Sequence, residues 1–333
     1  MKTILFSGGG TLGHVLPNMV IIEKLKRSGY DVCYVGSPNS MEEKTADNYG
    51  VKFYQTTAVK LDKSRPLSNV KIPFLLPASI HKTKKILEEV KPDLVFTKGG
   101  YVSLPVVISA KMLNIPQICH ESDGSLGIVN QIAYRLGATV LTSNNCSFDK
   151  GIKVGIPLKP DLFTTRKARI MAGNKPTILV TGGSQGAKSI NDFMLKNCDE
   201  ILKRYNLIII GGKTLDLTIK KPGLTLVDFT SDMGKYYASC DVVVSRAGAT
   251  TIAEIIALNK KAILIPLPSN VSRGDQQKNA KNVESSTIKV LPQSELTLEN
   301  LLNLLQKLQN TTVKEQKYEN PVDKIYDEIV KKL

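Results

Sequence analysis

Short apolar runs alternate along the whole chain with longer stretches in which apolar side chains recur every three or four positions. The runs at Lys2–Ser7, Asp31–Gly36, Val51–Thr56, Leu94–Thr97, Gln117–His120, Val140–Thr142 and Lys153–Val154 read as buried strands. Helical spacing covers Val15–Ser28, the region of Met41–Tyr49, and Pro105–Leu113, and Gly29 stands where a left-handed cap would close the first of these. A linker with Pro157 and Pro160 and a charged helix around Thr165–Ala172 interrupts the pattern. It then restarts, with strands at Thr177–Thr181, Leu207–Gly211, Thr225–Asp228, Asp241–Ser245, Ala262–Pro266 and Lys289–Leu291. From Leu296 the tail reads as helices, and amphipathic Val322–Leu333 is placed to cross back onto the first half. Strand–helix–strand alternation implies parallel sheets. The expected fold class is therefore α/β, with two doubly wound Rossmann-like domains, 1–158 (with 320–333 returning to it) and 159–319. The carboxyl ends of both sheets should open on a cleft, where the site belongs.

Composition changes this picture in one respect. A 333-residue chain with 42% hydrophobic and 23% charged residues is that of a folded protein large enough for two cores. Its net charge of +15 asks for an anionic partner: nucleic acid, an acidic membrane surface or a phosphorylated substrate. No nucleic-acid-binding module is recognisable and few aromatics lie near the basic residues, so nucleic acid is set aside. A lysine-rich solvated surface accounts for the charge equally well. The five cysteines are scattered, without a CxxC pair or a zinc spacing, and read as small core residues in a reducing compartment. Without a signal-peptide cleavage pattern or a membrane-length apolar run, the expected location is cytosolic.

The candidate chemistry gathers at strand ends. In the stretch Val242–Ala280 one apolar run ends in Arg-Ala-Gly-Ala-Thr-Thr ahead of a helix carrying Glu254. The next run leads to a loop delivering Asp275, Gln276 and Gln277. Small residues, exposed helix N–H groups and a carboxylate at adjacent strand ends suit a nucleotide's phosphate and ribose. Glycine loops also follow the first strand of each half, GGGTLGH and GGSQGAKSIN. Neither reads GxGxxG with an acid ending the second strand, since Asp31 precedes its strand, and no GxxxxGK[ST] occurs; nicotinamide dinucleotide and nucleoside triphosphatase readings fall away. Separately, residues 65–85 place an apolar piece, Ile72–Ile80, between Arg65, Lys71, Lys82, Lys84 and Lys85. Two readings fit: a core helix with a solvated end, or a loop or short helix docking on an anionic membrane surface with each cation contributing about 1 kcal/mol, and Pro73 and Pro77 argue against a long core helix and so for docking.

Seven stretches in order, GGGTLGHVLP, FTKGGYVSLP, HESDGSLGIVN, TGGSQGAKSIN, DFTSDM, SRAGATTIAE and DQQKNA, resemble the MurG family, and the resemblance spans nearly the whole chain. It implies a two-Rossmann (GT-B), metal- and cofactor-independent inverting transferase on the cytoplasmic membrane face. Its substrates would be UDP-N-acetylglucosamine and a polyprenyl-diphosphate-linked muramoyl peptide (lipid I).

Carried over residue by residue, the resemblance implies diphosphate contacts from the loop Gly183–Ala187, with Ser184, Gln185 and Gly186. It places Arg246 and Gly248 at the turn beside the nucleotide, Glu254 on the ribose hydroxyls, and Thr230 at the uracil edge between Phe229 and Met233. Gln276 and Gln277 would hold the sugar, with Thr11 and Gly13 added from the first loop. His14, ending that loop, is either the base that takes the acceptor proton or a contact to the donor phosphate. Glu121 would orient the acceptor or a base, and Tyr101, His120, Asp123 and Asn130 mark the acceptor side. The sequence departs from the family pattern at Leu12 (glycine in the family), Asp123 (Asn) and Lys159 (Arg). Rival readings are another lipid glycosyltransferase, a UDP-N-acetylglucosamine 2-epimerase, and a non-catalytic scaffold.

Overall fold

The computed structural model describes all residues except 11, 58–71, 165–169, 172, 184–185, 213–214, 270–273 and 316, with residues 12 and 72–74 as backbone only. The charged helix expected at Thr165–Ala172, the residues Thr11, Ser184 and Gln185, and the cations Arg65 and Lys71 thus lie outside the described residues or nearly so. Two compact units divide the chain: Met1–Pro157 with Asn320–Leu333, and Leu158–Glu319.

In the first unit, β1 (Thr3–Ser7), α1 (Leu12–Arg27), β2 (Asp31–Gly36), α2 (Met41–Asn48), β3 (Lys52–Gln55), α3 (Ile72–Val90), β4 (Leu94–Thr97), α4 (Ser103–Met112), β5 (Gln117–Glu121), α5 (Ile128–Arg135), β6 (Thr139–Thr142) and β7 (Ile152–Lys153) follow one another. The seven strands form one sheet in the order β3-β2-β1-β4-β5-β6-β7, and every pairing is parallel. Such a sheet is covered on both faces, which is why its strands read as unbroken apolar runs rather than alternating ones. Ile4, Phe6, Met19, Tyr34 and Phe96 fill one face and Leu5, Val35, Leu87, Val95 and Val106 the other.

The second unit repeats the plan. It contains α6 (Asp161–Thr164), β8 (Thr177–Thr181), α7 (Lys188–Lys196), α8 (Cys198–Leu202), β9 (Asn206–Ile210), β10 (Leu224–Val227), α9 (Met233–Ser239), β11 (Val242–Ser245), α10 (Ala249–Ala257), β12 (Lys261–Leu264), α11 (Asp275–Val283), β13 (Ile288–Val290) and α12 (Leu298–Gln309). Its parallel sheet runs β10-β9-β8-β11-β12-β13. The chain then returns to the first unit as α13 (Val322–Val330), whose Ile325 and Ile329 are fully buried in the same cluster as Val15 and Ile22 of α1.

Strand order reverses between β1 and β4 in one sheet and between β8 and β11 in the other. At such a switch point neighbouring crossovers leave on opposite faces, so the loops beyond the carboxyl ends of those strands are splayed apart around a crevice. Both glycine loops sit there.

Two expectations need correction. The first helix starts at Leu12, not Val15, so His14 stands in the first turn of α1 instead of ending the loop. The apolar piece at Ile72–Ile80 is the front of the 19-residue α3, with Pro77 inside it. Pro73 is tolerated because first-turn N–H groups have no intrahelical acceptor. Beyond Pro77, Leu87 and Thr83 are buried, and this end of the helix packs beside α4.

Candidate active site

At the switch point of the first sheet, the backbone of Gly8–Gly10 is clamped from below. The Tyr34 hydroxyl donates to the Gly8 carbonyl and receives a bond from Asn18 Nδ2 at 3.2 Å. A Cβ on Gly9 would lie 2.5 Å from the Glu42 carboxylate, and one on Gly100 would lie 3.1 Å from the Gly9 carbonyl oxygen with φ at +78°. Only glycine lets these two loops close on one another. Tyr101, half-buried, lays its ring against Gly10.

His14 Nδ1 lies 3.3 Å from the Gly9 carbonyl oxygen. A carbonyl can only accept, so Nδ1 carries the proton and Nε2 the lone pair. Burial of the ring, opposed by Asp123, and then the nearby Lys98 set its pKa below the usual histidine value; Gly9 and Glu42 push the other way. The lowered pKa favours the uncharged imidazole, whose basic nitrogen is then Nε2.

The end of β5 is organised around Glu121. One carboxylate oxygen accepts the Asp123 N–H at 3.0 Å; the other accepts the Gly127 N–H at 2.8 Å and Asn130 Nδ2 at 2.9 Å. Burial first, then the Asp123 charge, raise its pKa, and those donors pull it back. Glu121 therefore shapes the 122–127 loop. Its expected part, orienting the acceptor or a base, would be exerted through that loop, on which both oxygens are engaged. Asn130 and His120, expected on the acceptor side, are likewise buried and bonded within the fold, whereas Asp123 and Tyr101 are half-exposed beside the loops.

In the second unit, the Gly183 carbonyl accepts the Gly186 N–H at 3.0 Å, closing a turn after β8. Gly186 has φ +72°, and a Cβ there would sit 2.7 Å from the Gly211 carbonyl oxygen. Helices α7 and α10 begin after Ala187 and Gly248, neither of which caps its helix with a side-chain hydrogen bond.

Glu254, in the second turn of α10, has one oxygen fixed by the Tyr237 hydroxyl at 2.7 Å. Burial raises its pKa to about 7, with Tyr237 opposing. Tyr237→Phe should therefore lower stability by about 1–2 kcal/mol in urea unfolding at pH 8, where the carboxylate is ionised, and by less at pH 5.

Arg246 is buried. Its guanidinium donates to the Ile265 carbonyl at 3.1 Å, to Ser189 Oγ at 2.7 Å and to Gln293 Oε1 at 2.7 Å. It ties the β11 turn to Ile265, just beyond β12, and to α7. Gln276 Oε1 accepts the Leu267 N–H at 3.1 Å, and Gln277 is exposed. Thr230 Oγ1 accepts the Asp232 N–H at 3.0 Å, and Phe229 beside it is 66% exposed.

Residues 4–142 match the glycosyltransferase family 28 N-terminal domain and residues 177–332 the family 28 C-terminal domain. A UDP-N-acetylglucosamine--N-acetylmuramyl-(pentapeptide) pyrophosphoryl-undecaprenol N-acetylglucosamine transferase of Clostridium botulinum (strain Langeland) is 37% identical over 100% of this chain and 99% of its own. The chain belongs to the MurG family. A Clostridium tetani relative of the same name is 35% identical over 99% of this chain and 98% of its own. Among solved structures, Acinetobacter baumannii MurG covers 99% of this chain and 100% of its own at TM-score 0.78 and 25% identity. A kitacinnamycin glycotransferase, at TM-score 0.73 and 15% identity, shares the fold.

Within this MurG-family chain, two residues of the loop clusters were not singled out by sequence. Lys98 follows the apolar run LVFT and is buried to 2% exposure, and a charge directly after such a run was the available signal. Tyr237 gave none, because its partner Glu254 lies 17 residues away on another helix.

Proposed function

We propose that this chain transfers N-acetylglucosamine from UDP-N-acetylglucosamine to a hydroxyl of a polyprenyl-diphosphate-linked muramoyl peptide, with inversion at the anomeric carbon. The observation that carries the reading is the Glu254 geometry. Tyr237 holds one carboxylate oxygen, and Oε1 makes no hydrogen bond among the described residues, in the second turn of a helix that carries no side-chain cap. That is a ribose acceptor next to a phosphate seat. The loop Gly183–Ala187 would take the diphosphate, the Thr230 backbone the uracil edge, and Gln276 and Gln277 the sugar hydroxyls. His14 Nε2 would accept the acceptor's proton as its oxygen bonds to the anomeric carbon and UDP departs.

The reading is tested by incubating the protein with UDP-N-acetylglucosamine and lipid I, diacylglycerol, or no acceptor. UDP release should require lipid I. Release with diacylglycerol instead, or conversion of the nucleotide sugar without acceptor, would overturn it in favour of a different lipid transferase or an epimerase.

We further propose peripheral attachment to an anionic membrane through residues 65–85. No described helix is long and apolar enough to cross a bilayer. Leu75 is 44% exposed at the front of α3, and Lys82 and Lys85 are exposed one to three turns on. Cosedimentation with vesicles containing phosphatidylglycerol should exceed that with phosphatidylcholine alone and fall as salt rises from 50 to 500 mM, roughly the range over which the Debye length shrinks below 5 Å. Salt-independent binding would contradict an electrostatic contribution.

A further inference from the structure

Between the turn after β11 and the start of α7 lies a buried cation to which the proposed transfer gives no task. One terminal nitrogen of Arg246 donates to the Ile265 and Pro266 carbonyls at 3.1 and 3.4 Å, and the other to Ser189 Oγ and Gln293 Oε1, each at 2.7 Å. Ser189 Oγ in turn donates to Gln293 Oε1 at 3.2 Å, closing a ring of three side chains. A guanidinium has only donors, so the oxygen of the Gln293 amide is the atom that faces it. Every one of these partners is neutral. No carboxylate among the described residues pairs with Arg246, and burial lowers its pKa with no acid opposing it.

Gln293 comes from outside the seven motifs. It opens the 3-10 turn Gln293–Glu295 that follows β13. The Leu291 N–H extends the β12–β13 ladder onto the Leu264 carbonyl at 2.9 Å and its side chain is buried, so the edge strand fixes where the amide is presented. Ser189 is the second residue of α7, within about 3 Å of that helix's start along its axis, and the loop Gly183–Ala187 runs directly into it. The guanidinium is therefore held beside the seat proposed for the diphosphate.

A buried cation without a counter-charge is costly, and an anion bound nearby offsets that cost. Glutamate is as long as glutamine and would complete an ion pair with the guanidinium, cancelling its charge. We propose that Gln293 is a positioning residue for donor binding: it holds Arg246 beside the start of α7 without neutralising it, so that the positive charge is left for the diphosphate of the nucleotide sugar. The inference rests on reading Gly183–Ala187 as the diphosphate seat.

Gln293→Glu should raise the urea-unfolding midpoint of the free protein, because a charge-assisted pair replaces a neutral contact. It should at the same time weaken UDP binding about tenfold in calorimetric titration, the scale of one unit charge acting over roughly 10 Å at an effective dielectric of about 20. Uridine, which has no phosphate, should bind this variant as it binds the wild type. Gln293→Met, neutral and of similar length, should lower the midpoint yet keep most of the UDP affinity. Stability and UDP affinity then move in opposite directions, which a merely structural Gln293 would not produce. Gln293→Asp, a shorter carboxylate at the same place, should also weaken UDP but not uridine, which keeps the test open if Gln293→Glu folds poorly. UDP affinity in the carboxylate variants equal to or above wild type, or UDP and uridine weakened alike, would overturn the proposal. A wild-type protein that binds no UDP would instead overturn the donor-site reading beneath it.

Discussion

Alanine at position 14 should lower kcat for transfer by about 10²–10⁴-fold, the span a positioned general base contributes, and leave UDP affinity unchanged. The ring is held by the Gly9 carbonyl at Nδ1, so its Nε2 is the basic nitrogen. It stands on the first turn of α1, in the unit that does not contain the Glu254 grip. Removing it takes away a proton acceptor without touching the nucleotide contacts proposed for the second unit. Steady-state rates beside calorimetric UDP titration check both halves. Loss of UDP affinity in parallel with rate would assign His14 to the donor phosphate instead.

Glu254→Ala should weaken UDP binding about 10- to 100-fold, because hydrogen bonds to a charged group are worth roughly 1.5–3 kcal/mol. A second signature follows from the carboxyl's pKa of about 7. Ribose hydroxyls donating to the carboxylate favour its ionised form, so UDP binding near pH 7 should release part of a proton. The binding enthalpy should then vary with the ionisation enthalpy of the buffer, and that variation should vanish in Glu254→Ala. The stability sign is independent of ligand. The folded pKa lies above the unfolded one, so the native state holds the proton longer and Glu254 contributes stability at low pH that is lost as pH rises from about 4.5 to 7. Glu254→Gln should flatten that slope in urea unfolding. UDP affinity equal to wild type in Glu254→Ala would refute the donor-site assignment.

The strand order and both glycine loops were legible because buried parallel strands and amphipathic helices have distinct periods. The residues at the loop ends were legible only as types. Arg246 was legible as a residue of the turn, but its partner Gln293, 47 residues on, was not. Asn130 and Glu121 look like two polar groups for an acceptor until the fold bonds them to each other. Lys98 and His120 lie 22 residues apart, on neighbouring strands, and nothing in either segment announces the other. Helix α3 was misjudged for a local reason: Pro73 and Pro77 were weighed as breakers, but one falls in the first turn and tertiary packing of Thr83 and Leu87 carries the helix past the other.

The most direct measurement is the configuration of the new glycosidic bond, read from the anomeric proton coupling of the disaccharide product made from UDP-α-N-acetylglucosamine and lipid I. A single displacement with His14 as base predicts the β linkage; an α linkage would contradict it.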